Sequence, residues 1–136
     1  MQKKHVNEDK VIVSTALPKK LRDRITAEGK AIKALGGRKN SHYSSILENY
    51  IGLWNSGRLP RVYMGNPKSK ADYTISIYMS SRLRTALKKI AVADGVSTSA
   101  VVRTAFAYHL AKQFDKPRND IWASDAFLAK RPTIKL

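Results

Sequence analysis

The feature that most constrains the fold is a pattern of one strand and two helices that occurs twice in the chain. At an offset of 62 residues, the alignment matches VSTALPKKLRDRI (13–25) with ISIYMSSRLRTAL (75–87). At an offset of 55, it matches SSILENYIGLW (44–54) with SAVVRTAFAYH (99–109), which leaves seven extra residues between the helices of the first copy. A supersecondary order that is repeated in this way indicates two units that fold against each other.

The helices are predicted from their ends and from apolar residues at helical spacing. Pro18 and Ser80 stand at equivalent helix starts, where proline lacks only an amide that has no partner and serine is a favoured N-cap. Gly36-Gly37 and Asp94-Gly95 end the first helices. The predicted core positions of the first helices are Leu21, Ile25, Ile32, Leu35, Leu83, Leu87, Ile90 and Ala91. Those of the second helices are Ile46, Leu47, Tyr50, Ile51, Trp54, Val101, Val102, Ala105, Phe106 and Leu110.

The two strands are predicted to pair with each other. A unit of about 45 residues buries too little apolar surface to be stable alone, and a lone two-stranded ribbon is marginal in water. We therefore expect strands 10–17 and 72–79 to form an antiparallel ribbon over a four-helix core. Alternation along each strand predicts an inner face of Val11, Val13, Thr15, Leu17, Tyr73, Ile75, Ile77 and Met79. It predicts an outer face of Ile12, Ser14, Ala16, Thr74, Ser76 and Tyr78.

The charge balance predicts a polyanionic partner. Lys and Arg number 26 against 10 Asp and Glu, for a net charge of +16 spread along the chain. Nucleic acid is the first candidate and an anionic membrane surface the second. The chain has no apolar run long enough to span a bilayer and no secretory signal at its start. It also contains no cysteine, which agrees with a cytoplasmic protein.

The order of elements, with LPKKL (17–21) at the first helix and a serine- or threonine-capped second helix, resembles the ribbon-helix-helix family of DNA-binding proteins. Two copies in one chain are similar to its tandem members, the TraY-type accessory proteins of plasmid relaxosomes. The resemblance implies a β-α-α-linker-β-α-α pseudo-dimer that binds double-stranded DNA at a transfer origin. The corresponding segments are an N-terminal arm (1–9), copy 1 (10–54), a linker (55–70), copy 2 (71–115) and a tail (116–136).

Two sets of residues are predicted to contact DNA. A two-stranded ribbon fits the major groove, so its outer face should contact base edges at an asymmetric site. The base-contacting set is Lys10, Ile12, Ser14, Ala16, Thr74, Ser76 and Tyr78. Phosphates should bind at the N-termini of the second helices and along the linker. The phosphate-contacting set is Arg38, Lys39, Asn40, Ser41, Ser44, Arg58, Arg61, Ser97, Thr98 and Ser99.

One chain should suffice for one DNA-binding unit, and higher oligomers on DNA are compatible with it. The tail 116–136 is a candidate docking segment for a relaxase or another protein. A transcriptional repressor with the same fold is an open alternative. An antitoxin is a weaker one, because the tail carries five basic and two acidic residues. RNA is disfavoured because its deep major groove does not admit a ribbon.

No enzymatic activity, cofactor or metal is expected. His5, His42 and His109 are far apart in the chain and lack the short spacing of metal ligands. The isolated EGK at 28–30 lacks the preceding glycine of a phosphate-binding loop.

Overall fold

Two strands and four helices make up the described part of the chain, which in this computed structural model comprises residues 10–57, 59, 63–64, 74–114 and 134–136. In chain order they are β1 (Lys10–Ala16), α1 (Lys19–Ala34), α2 (Lys39–Asn55), β2 (Thr74–Ser80), α3 (Ser81–Asp94) and α4 (Thr98–Phe114). The prediction of a mainly helical protein with a two-stranded antiparallel sheet is confirmed.

The strands β1 and β2 form one antiparallel ribbon in which Ser14 lies directly opposite Ser76. Thr15 on β1, Leu17 just after its end, and Ile75, Ile77 and Met79 on β2 are buried. Val11 and Val13 are partly buried and pack against the same core. The predicted inner face is therefore confirmed, apart from Tyr73, which lies outside the described residues.

The core beneath the ribbon is built mainly by α2 and α4. All ten apolar residues predicted for the second helices are buried, including Trp54 and Phe106, which are fully enclosed. The helix α2 packs against β2, whereas α4 packs against β1, and the two helices also contact each other. Each second helix thus supports the strand that belongs to the other half of the chain.

The ends of the first helices largely follow the predicted capping. The Ser80 hydroxyl accepts a hydrogen bond from the Leu83 amide at 3.1 Å, and Gly95 has a left-handed conformation with φ of 71° after the end of α3. Pro18 immediately precedes α1. The prediction of Leu35 as a core residue is wrong, because α1 ends at Ala34 and the Leu35 side chain beyond it is 86% exposed.

The predicted seven extra residues between the helices of the first copy are also wrong. Four residues separate α1 from α2, and three separate α3 from α4. The second helices begin 59 residues apart, at Lys39 and Thr98, and both contain 17 residues. The offset of 55 is thus displaced by four residues, about one helical turn. A displacement of one turn keeps the apolar faces aligned, so periodicity alone could not detect it.

The described residues of the predicted linker pack against the helices. Leu59 is 2% exposed, and the Met64 amide donates to the Thr104 hydroxyl oxygen at 2.8 Å. The Tyr63 hydroxyl donates to the Asp94 carboxylate, which also accepts from the Trp54 indole nitrogen at 3.1 Å. This segment therefore contributes to the core as well as joining the two halves.

The last three residues return to the helices. The Asn55 side chain donates to the Ile134 carbonyl oxygen at 2.7 Å and accepts from the Ile134 amide at 2.6 Å, and the Ile134 side chain is 8% exposed. Tail residues 116–133, predicted as a docking segment, lie outside the described residues.

Across the described helices, none is both long and apolar enough to cross a membrane alone, and one bent pair, α3 with 98–111, meets the length and composition criteria together.

Candidate functional site

The outer face of the ribbon is largely exposed, with four of its six side chains open to solvent. Ile12 is 55% exposed and Tyr78 is 51% exposed, and these two residues lie directly opposite each other. At the other end of the ribbon Ala16 faces Thr74, and both are half-buried. The two ends of this face therefore differ, with large side chains at one end and small ones at the other.

Two serines form the middle of the outer face. Ser14 and Ser76 are exposed, and their hydroxyl oxygens are 2.9 Å apart, within hydrogen-bond distance. This bond uses one of the two hydroxyl protons, so one proton and several lone pairs remain available. The pair can therefore both donate to and accept from an external ligand while the strands stay paired.

A groove of about 580 Å³ runs between the ribbon and the N-terminus of α2. The side chain of Asn40 joins the two, since its amide oxygen accepts from the Tyr78 backbone amide at 3.3 Å. The predicted phosphate-contacting residues that line the groove are Arg38, Lys39, Asn40, Ser41 and Ser44, and the predicted base-contacting residues that line it are Lys10 and Tyr78.

The N-termini of the second helices differ from each other. At α4 the Ser97 hydroxyl accepts from the Ala100 amide at 3.1 Å, as an ordinary N-cap. At α2 the N-cap residue is Arg38, whose side chain makes no capping hydrogen bond. The first amides of α2 thus remain available to an anion. Thr98 and Ser99 lie in the first turn of α4 and are half-buried.

A second, more basic groove flanks the same end of the ribbon. It is lined by Lys10 and Ser80 from the strands, by Ser81, Arg82, Thr85 and Lys89 from α3, and by Lys135. No acidic side chain lines this groove within the described residues. The end of the ribbon that carries Lys10 and Ser80 therefore lies between two grooves with basic side chains.

A buried arginine, which the sequence analysis did not identify, holds the ribbon from the other side. The Arg103 side chain is 1% exposed and donates to the Ala16 carbonyl oxygen at 3.0 Å and to the Met64 carbonyl oxygen at 3.2 Å. Burial lowers the pKa of its guanidinium. Arg103 thus links α4 to β1 and to the linker, as Asn40 links α2 to β2. The predicted contacts Arg58 and Arg61 lie outside the described residues.

Two of the three histidines, although far apart in the chain, come together in the fold. His42 and His109 both place Nε2 on the same Glu28 carboxylate oxygen, at 2.8 Å and 3.0 Å. Burial tends to raise the pKa of Glu28, but the hydrogen bonds from both imidazoles outweigh it and lower that pKa. Spacing of 14 and 81 residues from Glu28 leaves no motif in the sequence. His5 lies outside the described residues.

Comparisons of the chain with protein-family models, with curated proteins and with solved structures find no match.

Proposed function

We propose that this protein is a sequence-specific double-stranded DNA-binding protein that inserts the β1–β2 ribbon into the major groove. The observation that carries the proposal is the pairing of two strands distant in the chain into a ribbon with one buried face and one exposed polar face. The major groove of B-DNA is about 12 Å wide and admits a two-stranded ribbon. Hydroxyls on such a ribbon can both donate to and accept from base edges.

Charge favours a polyanionic partner, and the placement of the candidate phosphate sites beside the ribbon favours DNA among them. The net charge of +16 supplies long-range attraction. The free amides at the start of α2 and the basic groove at α3 lie beside one end of the ribbon. Phosphates that flank a filled major groove would lie near these two sites. Base contacts by the ribbon and phosphate contacts by the helices are therefore compatible in one complex.

We further propose a pseudo-dimer of two ribbon-helix-helix units, and three observations support it. The alignment makes Ser14 equivalent to Ser76, and these residues lie directly opposite each other, as a two-fold axis through the ribbon requires. The second helices are equal in length. Each of them packs on the strand of the other half, α2 on β2 and α4 on β1. Because the two ends of the outer face differ in size, the bound DNA site should be asymmetric.

The proposed biological role is that of an accessory factor at a plasmid transfer origin, which rests on the resemblance to tandem ribbon-helix-helix proteins. A repressor would use the same surface. The two roles differ in the DNA they occupy, so fragments bound in cells should come from a transfer origin for the first and from a promoter for the second.

The experiment is selection of bound duplexes from a random pool, followed by affinity measurements with Ser76→Ala. On the selected site this change should weaken binding by about 1–3 kcal/mol and relax preference at one base pair. Lys39→Gln is the control, since loss of a phosphate contact should weaken selected and scrambled DNA alike. Equal losses for Ser76→Ala on both DNAs would contradict base contact by the ribbon, and failure to enrich any sequence would contradict sequence-specific binding.

A further inference from the structure

Three helices bring one carboxylate and two imidazoles together in the folded chain. Glu28 lies on α1, His42 on α2 and His109 on α4. Their potential ligand atoms all lie within 4.8 Å of one another. Their side chains are each between 20% and 23% exposed, so the cluster is accessible from solvent without lying on an open surface.

The packing beneath the cluster holds these side chains in place. Gly29 is buried at the contact of α1 with α2, where a Cβ would be 2.2 Å from the Tyr43 hydroxyl oxygen. The Tyr43 hydroxyl donates to the Ile25 carbonyl oxygen at 3.2 Å, and its ring lies edge-on to Phe106 of α4 with centroids 5.9 Å apart. The close approach at Gly29 and Tyr43 brings the neighbouring Glu28 and His42 together.

The donor set and its spacing match those of a transition-metal site. Two histidine nitrogens and one carboxylate oxygen are a common three-residue set for Zn²⁺, which leaves a fourth position to water. Ligands bound at about 2.0–2.1 Å in a tetrahedron lie about 3.3 Å apart. The two nitrogen-to-oxygen distances of 2.8 Å and 3.0 Å are already close to that separation. Small side-chain movements would therefore admit an ion.

We propose that Glu28, His42 and His109 form a binding site for one divalent transition-metal ion, with Zn²⁺ the best match. On binding, each neutral imidazole would carry its single proton on Nδ1, which frees Nε2 to coordinate the metal. The ion would tie α1, α2 and α4 together and stabilise the fold. Imidazole ligands disfavour Mg²⁺, which selects oxygen ligands. The proposal does not depend on DNA binding.

The test is a titration of the untagged, chelator-treated full-length chain with Zn²⁺, followed by calorimetry and by thermal unfolding. Wild type should bind one ion per chain, and the Tm should rise with the metal concentration. Co²⁺ should bind at the same site and give the visible absorption of tetrahedral coordination. A molar excess of Mg²⁺, which prefers oxygen ligands, should leave Zn²⁺ affinity unchanged.

Single substitutions of the three proposed ligands test whether the ion binds at this cluster. His42→Gln, His109→Gln and Glu28→Gln should each lower Zn²⁺ affinity at least about tenfold and abolish the metal-dependent rise in Tm. His5→Gln, which changes the one histidine outside the cluster, is the matched control and should bind as wild type does. Circular dichroism of the metal-free variants shows whether each is folded, and Glu28→Gln conserves volume if a histidine change unfolds the chain. Absence of stoichiometric binding by wild type, or binding that survives all three changes, would overturn the proposal.

Discussion

Thr15 lies on the buried inner face of the ribbon, as predicted, but unlike its apolar neighbours there it carries a hydroxyl group. Its side chain is 1% exposed, yet its hydroxyl is the one buried side-chain polar atom in the described part of the chain that has no hydrogen-bond partner. Thr104, 5% exposed, is equally enclosed, but its hydroxyl accepts from the Met64 amide at 2.8 Å. The two buried threonines therefore differ in what their hydroxyls contribute to stability.

Replacing each threonine by valine, which has the same shape, should change stability in opposite directions. Thr15→Val removes a desolvated hydroxyl and should raise the free energy of unfolding by about 1 kcal/mol. Thr104→Val leaves the Met64 amide unpaired and should lower it by about 1–3 kcal/mol. Urea unfolding monitored by circular dichroism measures both. A loss of stability in Thr15→Val would mean that its hydroxyl has a favourable interaction in the folded protein.

Gly29 is required by close packing between helices. A Cβ at this position would be 2.2 Å from the hydroxyl oxygen and 3.0 Å from Cζ of the buried Tyr43. Gly29→Ala should therefore lower the free energy of unfolding by about 1–3 kcal/mol, more than the gain of up to about 1 kcal/mol in helix propensity. In α2 nothing lies within 4 Å of a Cβ added at Gly52. Gly52→Ala should therefore raise the free energy of unfolding through helix propensity alone, by up to about 1 kcal/mol. Equal effects in the two variants would contradict close packing at Gly29.

At the scale of elements, the linker and the helix ends form a network centred on Asp94. This residue ends α3, and its carboxylate accepts from Tyr63 in the linker and from Trp54 in α2. Burial raises the pKa of Tyr63, and so do the hydrogen bond to Asp94 and the negative charge of the Asp94 carboxylate; together they bring it to about 12. The network thus joins three segments and depends on a neutral tyrosine.

The raised pKa of Tyr63 predicts a loss of stability in alkaline solution. A tyrosine whose folded pKa exceeds its unfolded value of about 10 contributes stability that is complete below pH 10 and is lost as the pH rises toward 12. Tyr63→Phe should cost about 1.5–3 kcal/mol at pH 8 because it removes a hydrogen bond to a charged group. The difference between wild type and Tyr63→Phe in denaturant unfolding should shrink between pH 10 and 12. A constant difference would contradict the assignment.

For the whole molecule, the dominant property is a net charge of +16 on a folded unit that exposes a paired ribbon. Attraction between such a charge and a duplex falls as salt competes for the phosphates. Base contacts by hydroxyls carry no charge and should be nearly independent of salt. Salt dependence therefore separates the two predicted kinds of contact.

If about 6–8 phosphates are neutralised, the logarithm of the binding constant should fall against the logarithm of salt concentration with a slope of about −5 to −7. Lys39→Gln should reduce the magnitude of this slope by about one, whereas Ser76→Ala should leave it unchanged. Fluorescence anisotropy with a labelled duplex over a series of salt concentrations measures both. A changed slope in Ser76→Ala would place that residue among the phosphate contacts.

Much of the fold could be predicted because its signals are local. Alternation identified the inner strand face, helical spacing identified the second-helix core residues from Ile46 to Leu110, and Ser80 and Gly95 marked helix ends. Local signals also caused the errors. A displacement of one helical turn preserved the apolar pattern, and the apolar character of Leu35 did not reveal that α1 ends before it.

The sequence by itself determined the types of element and their buried faces, because periodicity and capping depend on residues close together in the chain. The pairing of the strands was predicted from the need of two small units to bury their apolar faces. Only the tertiary structure decided which distant side chains meet. Glu28 with His42 and His109, Asn40 with Tyr78, and Arg103 with Ala16 are separated by between 14 and 87 residues. Contacts at such separations depend on how helices pack in three dimensions, and they leave no periodic pattern in a single sequence.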